Sequence, residues 1–91
     1  MARFAMLMNQ KLDECYNLIM NELKCRFEET DSIICFIPTQ HTISCCKAEY
    51  DYVWAFTDGM ITMFNHKEGF DWISMDEEWD EDTVTISIEL N

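Results

Sequence analysis

The segment TVTISIEL, residues 83–90, alternates polar and apolar side chains without a break. Val84, Ile86, Ile88 and Leu90 occupy every second position, and successive side chains of a β-strand point to opposite faces of its sheet. The pattern therefore predicts a strand with one buried and one exposed face. Such a strand belongs to a sheet whose apolar face is covered by a second layer of structure.

An amphipathic helix near the N-terminus is the expected covering layer. From Asn9 to about Glu29, apolar residues recur at steps of three and four, which is the spacing of one helix face. These residues are Leu12, Cys15, Tyr16, Ile19, Leu23 and Phe27. We expect Asn9 to be the N-cap of this helix and residues 30–32 to form a turn.

Most of the remaining chain is rich in β-branched and aromatic residues, which favour strands. SIICFIP predicts a strand ending at Pro38, QHT a loop, and ISCCKAE with YDYVWAFT one long bent strand or two short ones. Asp58-Gly59 lies between WAFT and MITMFN, and this dipeptide between two such runs indicates a hairpin turn. FDWISM predicts another short strand. We therefore expect one α+β domain spanning residues 1–91, with one N-terminal helix packed on a mostly antiparallel sheet of four to five strands.

The formal charge of -12 is concentrated in the second half of the chain. Residues 1–47 carry six acids and five bases, a net -1, whereas residues 48–91 carry twelve acids and one base, a net -11. Such a field repels nucleic acid and anionic lipid and attracts basic proteins. No apolar run approaches the length needed to span a membrane. The five cysteines form no C-x-x-C pair and follow no signal-peptide cleavage site, so we expect a reduced, cytoplasmic location.

The sequence contains no convincing metal or catalytic motif. His41, Cys45 and Cys46 form an H-x-x-x-C-C cluster, and His66 would supply a fourth zinc ligand, but adjacent cysteines on a strand point to opposite faces. Residues 76–87 lack the glycine at the sixth position and the glutamate at the twelfth that an EF-hand requires. No family-type signature surrounds any thiol that would serve as a nucleophile. We therefore expect no metal, no cofactor and no enzymatic activity.

The segment DEEWDED, residues 76–82, places six carboxylates around Trp79. If the segment is extended, Asp76, Glu78, Asp80 and Asp82 share one side at intervals of roughly 6.6 to 6.8 Å, about twice the 3.4 Å phosphate spacing of one B-DNA strand. If it is helical, that row is lost. We expect Trp79 to anchor the segment in the core, the alternative being an exposed interface residue.

The candidate partner-binding residues are these seven and five acids that precede them in the predicted strands and turns. They are Glu49, Asp51, Asp58, Glu68, Asp71, Asp76, Glu77, Glu78, Trp79, Asp80, Glu81 and Asp82.

Small size, charge asymmetry, and the DEEWDED segment leading to the ending TVTISIELN together resemble a known class of proteins. The class comprises small acidic phage-encoded inhibitors that block nucleic-acid-binding defence proteins by DNA mimicry, the anti-restriction and anti-CRISPR proteins. The resemblance implies a non-catalytic inhibitor that occupies the basic nucleic-acid-binding surface of a restriction or CRISPR nuclease in the host cytoplasm. It assigns no role to any single residue.

The alternative function is an acidic immunity-type or regulatory module that binds a basic protein without imitating nucleic acid, with Tyr50, Tyr52 or Trp79 supplying the affinity. A homodimer would form if TVTISIEL were an edge strand pairing with its copy.

Overall fold

The computed structural model describes residues 2–27 and 34–91 and has the predicted α+β class. Its elements are α1 (Ala2–Phe27), β1 (Ile34–Ile37), β2 (Thr42–Cys46), α2 (Tyr50–Glu68), β3 (Ile73–Trp79) and β4 (Thr83–Leu90). Short 3-10 turns at Pro38–Gln40 and Lys47–Glu49 follow β1 and β2. The expected turn at residues 30–32 lies outside the described residues.

The helix α1 forms along the predicted apolar stripe but begins before Asn9. Tyr16, Ile19 and Leu23 are at most 1% exposed, so the stripe faces the core as expected. The helix starts at Ala2 because the residues before Asn9 include strong helix formers, and Met8, which is 5% exposed, extends the same buried stripe. Asn9 is therefore an interior helix residue, and the prediction that it is the N-cap was wrong.

The four strands form one antiparallel sheet in the order β1-β2-β4-β3. The strand β4 spans the predicted TVTISIEL, and its alternation is confirmed because Val84, Ile86 and Ile88 are at most 2% exposed. It lies between β2 and β3 and pairs with both. The hypothesis that TVTISIEL is an edge strand available to a second copy is therefore wrong.

The predicted hairpin at Asp58-Gly59 does not exist, because the segment from Tyr50 to Glu68 is the helix α2. Val53, Thr57 and Ile61 recur every four residues and are at most 5% exposed, so helical spacing rather than alternation decides which side is buried. The helix ends at Gly69, whose φ of 75° is the left-handed conformation that favours glycine.

Both helices pack on the same face of the sheet. Leu12 and Ile19 of α1, Val53 of α2, and Ile43 and Ile86 of the central strands belong to one buried cluster. The Tyr16 hydroxyl also donates a 2.7 Å hydrogen bond to the Thr42 carbonyl oxygen, which ties α1 to β2.

The opposite face of the sheet is mostly polar, with Cys35 and Ile37 of β1 at one edge. Ser44 and Thr85 lie side by side there, with their hydroxyl oxygens 2.9 Å apart. The protein is thus a two-layer sandwich whose second sheet face carries no helix within the described residues.

Candidate protein-interaction site

The β3–β4 hairpin holds the whole acidic segment, residues 76–82. The strand β3 begins at Ile73 and continues through Trp79, so residues 76–79 are extended and pair with β4 from Ser87 to Val84. The strand lies at the edge of the sheet. Charged side chains on an edge strand hinder unwanted pairing with another chain.

The register divides the side chains of this strand between the two sheet faces. Glu77 is paired with Ile86 and Trp79 with Val84, both of which face the core, so Glu77 and Trp79 lie on the helix side. Asp76 and Glu78 therefore point to the open polar face. Glu89, which the candidate set omitted, shares that face because it pairs with Ser74, two residues before Asp76. Its exposed position in the TVTISIEL alternation was the signal that could have identified it.

The turn of the hairpin breaks the expected row of four carboxylates. The Asp80 N–H donates to the Thr83 carbonyl oxygen at 2.9 Å, and residues 81 and 82 make the turn. One Asp80 carboxylate oxygen accepts the Glu81 N–H, also at 2.9 Å. Only Asp76 and Glu78 keep the alternating spacing of a strand, so the row does not extend through the segment.

Trp79 is 52% exposed, and the expectation that it anchors the segment in the core was wrong. Its neighbour Val84 already closes that end of the core, being fully buried. The indole packs instead on Tyr50 at the start of α2, with ring centroids 4.7 Å apart. The Lys47 ammonium lies 5.9 Å from the indole centroid, a cation–π contact that the sequence did not suggest.

Tyr50 also fixes the hairpin relative to α2. Its hydroxyl donates a hydrogen bond to a carboxylate oxygen of Glu77. This bond to Glu77, followed by burial and nearby negative charge, raises the pKa of Tyr50 to about 12. Because the exposed Glu77 carboxylate is already hydrogen-bonded to Tyr50, the acids that remain open to a partner are mainly Asp76, Glu78, Glu81 and Asp82.

The other candidate residues divide between the two ends of α2. Glu49 and Asp51 flank Tyr50 and so lie at the end that contacts the hairpin. Glu68 lies 18 positions after Tyr50, about 27 Å along the helix axis, and pairs with the Lys11 ammonium at 3.0 Å.

Asp71 follows Glu68 in the loop that enters β3, and Asp58 is exposed in the middle of α2. The structure therefore groups residues 76–82 with Glu49 and Asp51. It leaves Asp58, Glu68 and Asp71 outside that group.

The histidines and thiols are dispersed. Cys45 is buried, whereas Cys46 is partly exposed on the opposite sheet face. His41 Nε2 lies 2.5 Å from an Asp13 carboxylate oxygen, and His66 is in the last turn of α2. Among residues 2–27 and 34–91, no group of three or more His, Cys, Asp or Glu side chains is arranged to hold a metal ion.

A scan against protein-family models found no matching family, and searches of curated proteins and of solved structures found no similar protein. Neither described helix combines the length and apolarity needed to cross a membrane.

Proposed function

We propose that this protein is a non-catalytic inhibitor that binds the basic nucleic-acid-binding surface of a host defence protein, a restriction or CRISPR nuclease, through its acidic hairpin, residues 76–82. The observation that carries the proposal is that all seven side chains of this segment are exposed on an edge strand and its turn. Six of them are acids.

The electrostatics of the hairpin suit a nucleic-acid-binding target. Carboxylates this close together produce a strong negative potential, which accelerates association with a basic surface. Asp76 and Glu78 are spaced by about 6.6 to 6.8 Å, twice the strand rise. Successive phosphates are about 3.4 Å apart along each DNA strand. A protein surface that binds them has cationic side chains with which these two carboxylates can form ion pairs.

A charge-reversal experiment with a matched control tests the proposal. The hairpin variant changes Glu78, Glu81 and Asp82 to lysine and leaves Asp80, whose carboxylate supports the turn. The control variant changes Glu22, Asp58 and Asp71 to lysine, three exposed acids outside the hairpin. Both variants change the net charge equally. A difference in partner capture between them therefore reflects the position of the acids in the hairpin and not the total charge.

Each protein serves as bait for capture from a bacterial lysate at low and high salt. Wild type and the control variant should retain a nucleic-acid-binding protein that added DNA or salt displaces. The hairpin variant should lose it. Identical capture by the hairpin variant, or equal loss with the control variant, would contradict the proposal.

The exposure of Trp79 favours a second candidate, an immunity-type or regulatory module that binds a basic protein without imitating nucleic acid. Tryptophan is enriched among the residues that dominate binding energy at interfaces, and here Tyr50 supports the indole from inside. In this case Trp79→Ala should abolish capture while salt has little effect. Trp72→Ala is the control, because Trp72 is also exposed but lies in the loop before β3.

A further inference from the structure

The exposed indole of Trp79 lies in the acidic hairpin and already has a cation beside it. Trp79 is 52% exposed, and the Lys47 ammonium lies 5.9 Å from the centroid of its ring. Glu77 precedes Trp79 by two residues and shares its side of β3. The chain's own lysine therefore marks a position over this indole that accepts a cation.

Aromatic packing holds the indole in place. Tyr50 packs on Trp79 with ring centroids 4.7 Å apart, and Trp54, one turn later in α2, packs on Tyr50 with centroids 5.9 Å apart. Trp54 is partly buried and packs against the core. The three rings connect Trp79 to the body of the protein, so the indole loses little conformational freedom when it binds a partner.

The Glu77 carboxylate is fixed beside the same rings, because it accepts a hydrogen bond from the Tyr50 hydroxyl. An ionised carboxylate has about four lone-pair positions for hydrogen bonds, and the bond from Tyr50 uses one of them. Alternate side chains of a strand are about 6.6 to 6.8 Å apart. A flat cation that lies on the Trp79 indole can therefore also donate a hydrogen bond to Glu77.

An arginine side chain fits this pair better than a lysine side chain. Its guanidinium group is flat, stacks on aromatic faces and keeps its N–H donors in the plane of the group. It can therefore stack on Trp79 and donate to Glu77 at the same time. A lysine ammonium is a compact, strongly hydrated charge and has no plane to stack.

We propose that Trp79 and Glu77 bind an arginine side chain of the basic partner, which takes the position that the Lys47 ammonium occupies in the free protein. Charge complementarity selects a cation, because six of the seven hairpin residues are acids. The inference rests on the proposed function, since arginine is the residue that binds phosphates through paired hydrogen bonds on nucleic-acid-binding surfaces. Lys47 competes with the partner's arginine for the indole.

Titration calorimetry with acetylated hexa-arginine and hexa-lysine peptides tests the site. Wild type should bind hexa-arginine about 3-fold more tightly than hexa-lysine, as one exposed cation–π contact predicts. Trp79→Leu keeps an apolar contact with Tyr50 but has no aromatic face, so it should lose this preference. Trp72→Leu, at another exposed tryptophan, should keep it. Equal wild-type affinities for the two peptides, or an unchanged preference in Trp79→Leu, would overturn the proposal.

Lys47→Met removes the competing cation. Lys67→Met is the matched control, because it removes the same charge from the last turn of α2, at the end away from the hairpin. Both variants should bind hexa-arginine more tightly than wild type because their net charge is more negative. Lys47→Met should gain about 2-fold or more beyond the control. Equal gains would overturn the displacement of Lys47.

Glu77→Gln tests the hydrogen-bond acceptor, with Glu78→Gln as its control. The two substitutions remove the same charge from neighbouring residues of β3, but Glu78 lies on the other side of the strand. Glu77→Gln should reduce the preference for hexa-arginine, whereas Glu78→Gln should weaken the binding of both peptides by the same factor. The same preference in both variants would overturn the role of Glu77.

The peptide titrations do not depend on the identity of the target. A Trp79-dependent preference for hexa-arginine, without capture of a nucleic-acid-binding protein from the lysate, would support the arginine site and contradict the proposed function. Capture of such a protein by wild type and equally by Trp79→Leu, without any preference for hexa-arginine, would support the proposed function and overturn the arginine site.

Discussion

Two thiols, Cys15 and Cys45, are each only 1% exposed. Burial raises the pKa of Cys15 to about 12 and that of Cys45 to about 11. Because the thiolate is the reactive form, these two cysteines behave as apolar core residues. Cys25 and Cys35 are exposed and are the residues that thiol reagents should modify first.

The buried thiols make stability depend on pH in the alkaline range. Between the unfolded pKa of about 8.5 and the raised folded values, the folded state holds protons that the unfolded chain releases. The contribution of these two thiols to the free energy of unfolding is therefore fully present below about pH 8.5. It is lost as pH rises through their folded-state pKa values. Urea midpoints measured from about pH 8 to about pH 11 should decline. The decline should be shallower in the Cys45→Ala variant. An unchanged slope of the urea midpoint against pH in that variant would contradict this explanation.

The Thr57 hydroxyl is buried in α2 and has no hydrogen-bond partner among the described residues. An unpaired buried hydroxyl costs on the order of 1 to 3 kcal/mol. Valine has nearly the same shape without the hydroxyl. Thr57→Val should therefore raise the free energy of unfolding by about 1 kcal/mol or more, measured by urea denaturation. Thr62→Val on the exposed side of the same helix should change it little, and a destabilised Thr57→Val would show that the hydroxyl has a partner.

At the scale of elements, Asn65 joins the end of α2 to the start of β3. Its side-chain amide donates to the Ile73 carbonyl oxygen at 2.9 Å, and its carbonyl oxygen accepts the Ile73 N–H at 3.4 Å. Both bonds are buried, so they fix the start of β3 relative to the end of α2. The position of the acidic hairpin therefore depends on a residue at the far end of α2.

Removing this link should be costly. Asn65→Ala leaves the Ile73 N–H and carbonyl groups without their partner and should lower the free energy of unfolding by about 1 to 3 kcal/mol. Asn21→Ala, on the exposed side of α1, should stay within about 0.5 kcal/mol of wild type. Chemical denaturation measures both values. Equal effects of the two substitutions would show that the Asn65 bonds add nothing to the folded state.

The sequence predicted the elements whose apolar pattern has only one period. Helical spacing in α1 and alternation in β4 each indicate one structure, and both are confirmed. The segment 50–57 satisfies two periods, because Tyr50, Tyr52 and Trp54 occupy alternate positions while Val53 and Thr57 are four residues apart. The Asp58-Gly59 pair then favoured a hairpin. The segment is helical because it packs against the sheet, and this contact is not visible in the local pattern. The Gly69 stop was the local signal that pointed to α2.

The same error limited prediction of the site. With residues 50–65 as two strands, Asp58 would lie at a hairpin tip and all the acids would share one sheet. As a helix, the segment separates Glu49 from Glu68 by nearly its whole length. The extended state of residues 76–79 depends on pairing with β4, a contact that composition alone cannot reveal.

At the scale of the whole molecule, the net charge of -12 acts on a small body whose Cα radius of gyration is 13.3 Å. At about 10 mM salt the screening length is about 30 Å, so every acid repels every other across the molecule. The sequence has 18 Asp and Glu residues against six Lys and Arg residues, so ion pairs such as those of Lys11 with Glu14 and Glu68 can neutralise only a minority of the acids. Repulsion therefore outweighs attraction in the folded state.

Salt should consequently stabilise this protein while it weakens the proposed target complex. At about 500 mM salt the screening length falls below about 5 Å, and repulsion between separate acids is largely removed. The melting temperature should therefore rise from about 10 mM to about 500 mM NaCl, as measured by calorimetry. Neutralising Glu22, Asp58 and Asp71 to their amides should make that rise smaller. A melting temperature that falls with salt would mean that attractive pairs dominate in the folded state and would contradict this prediction.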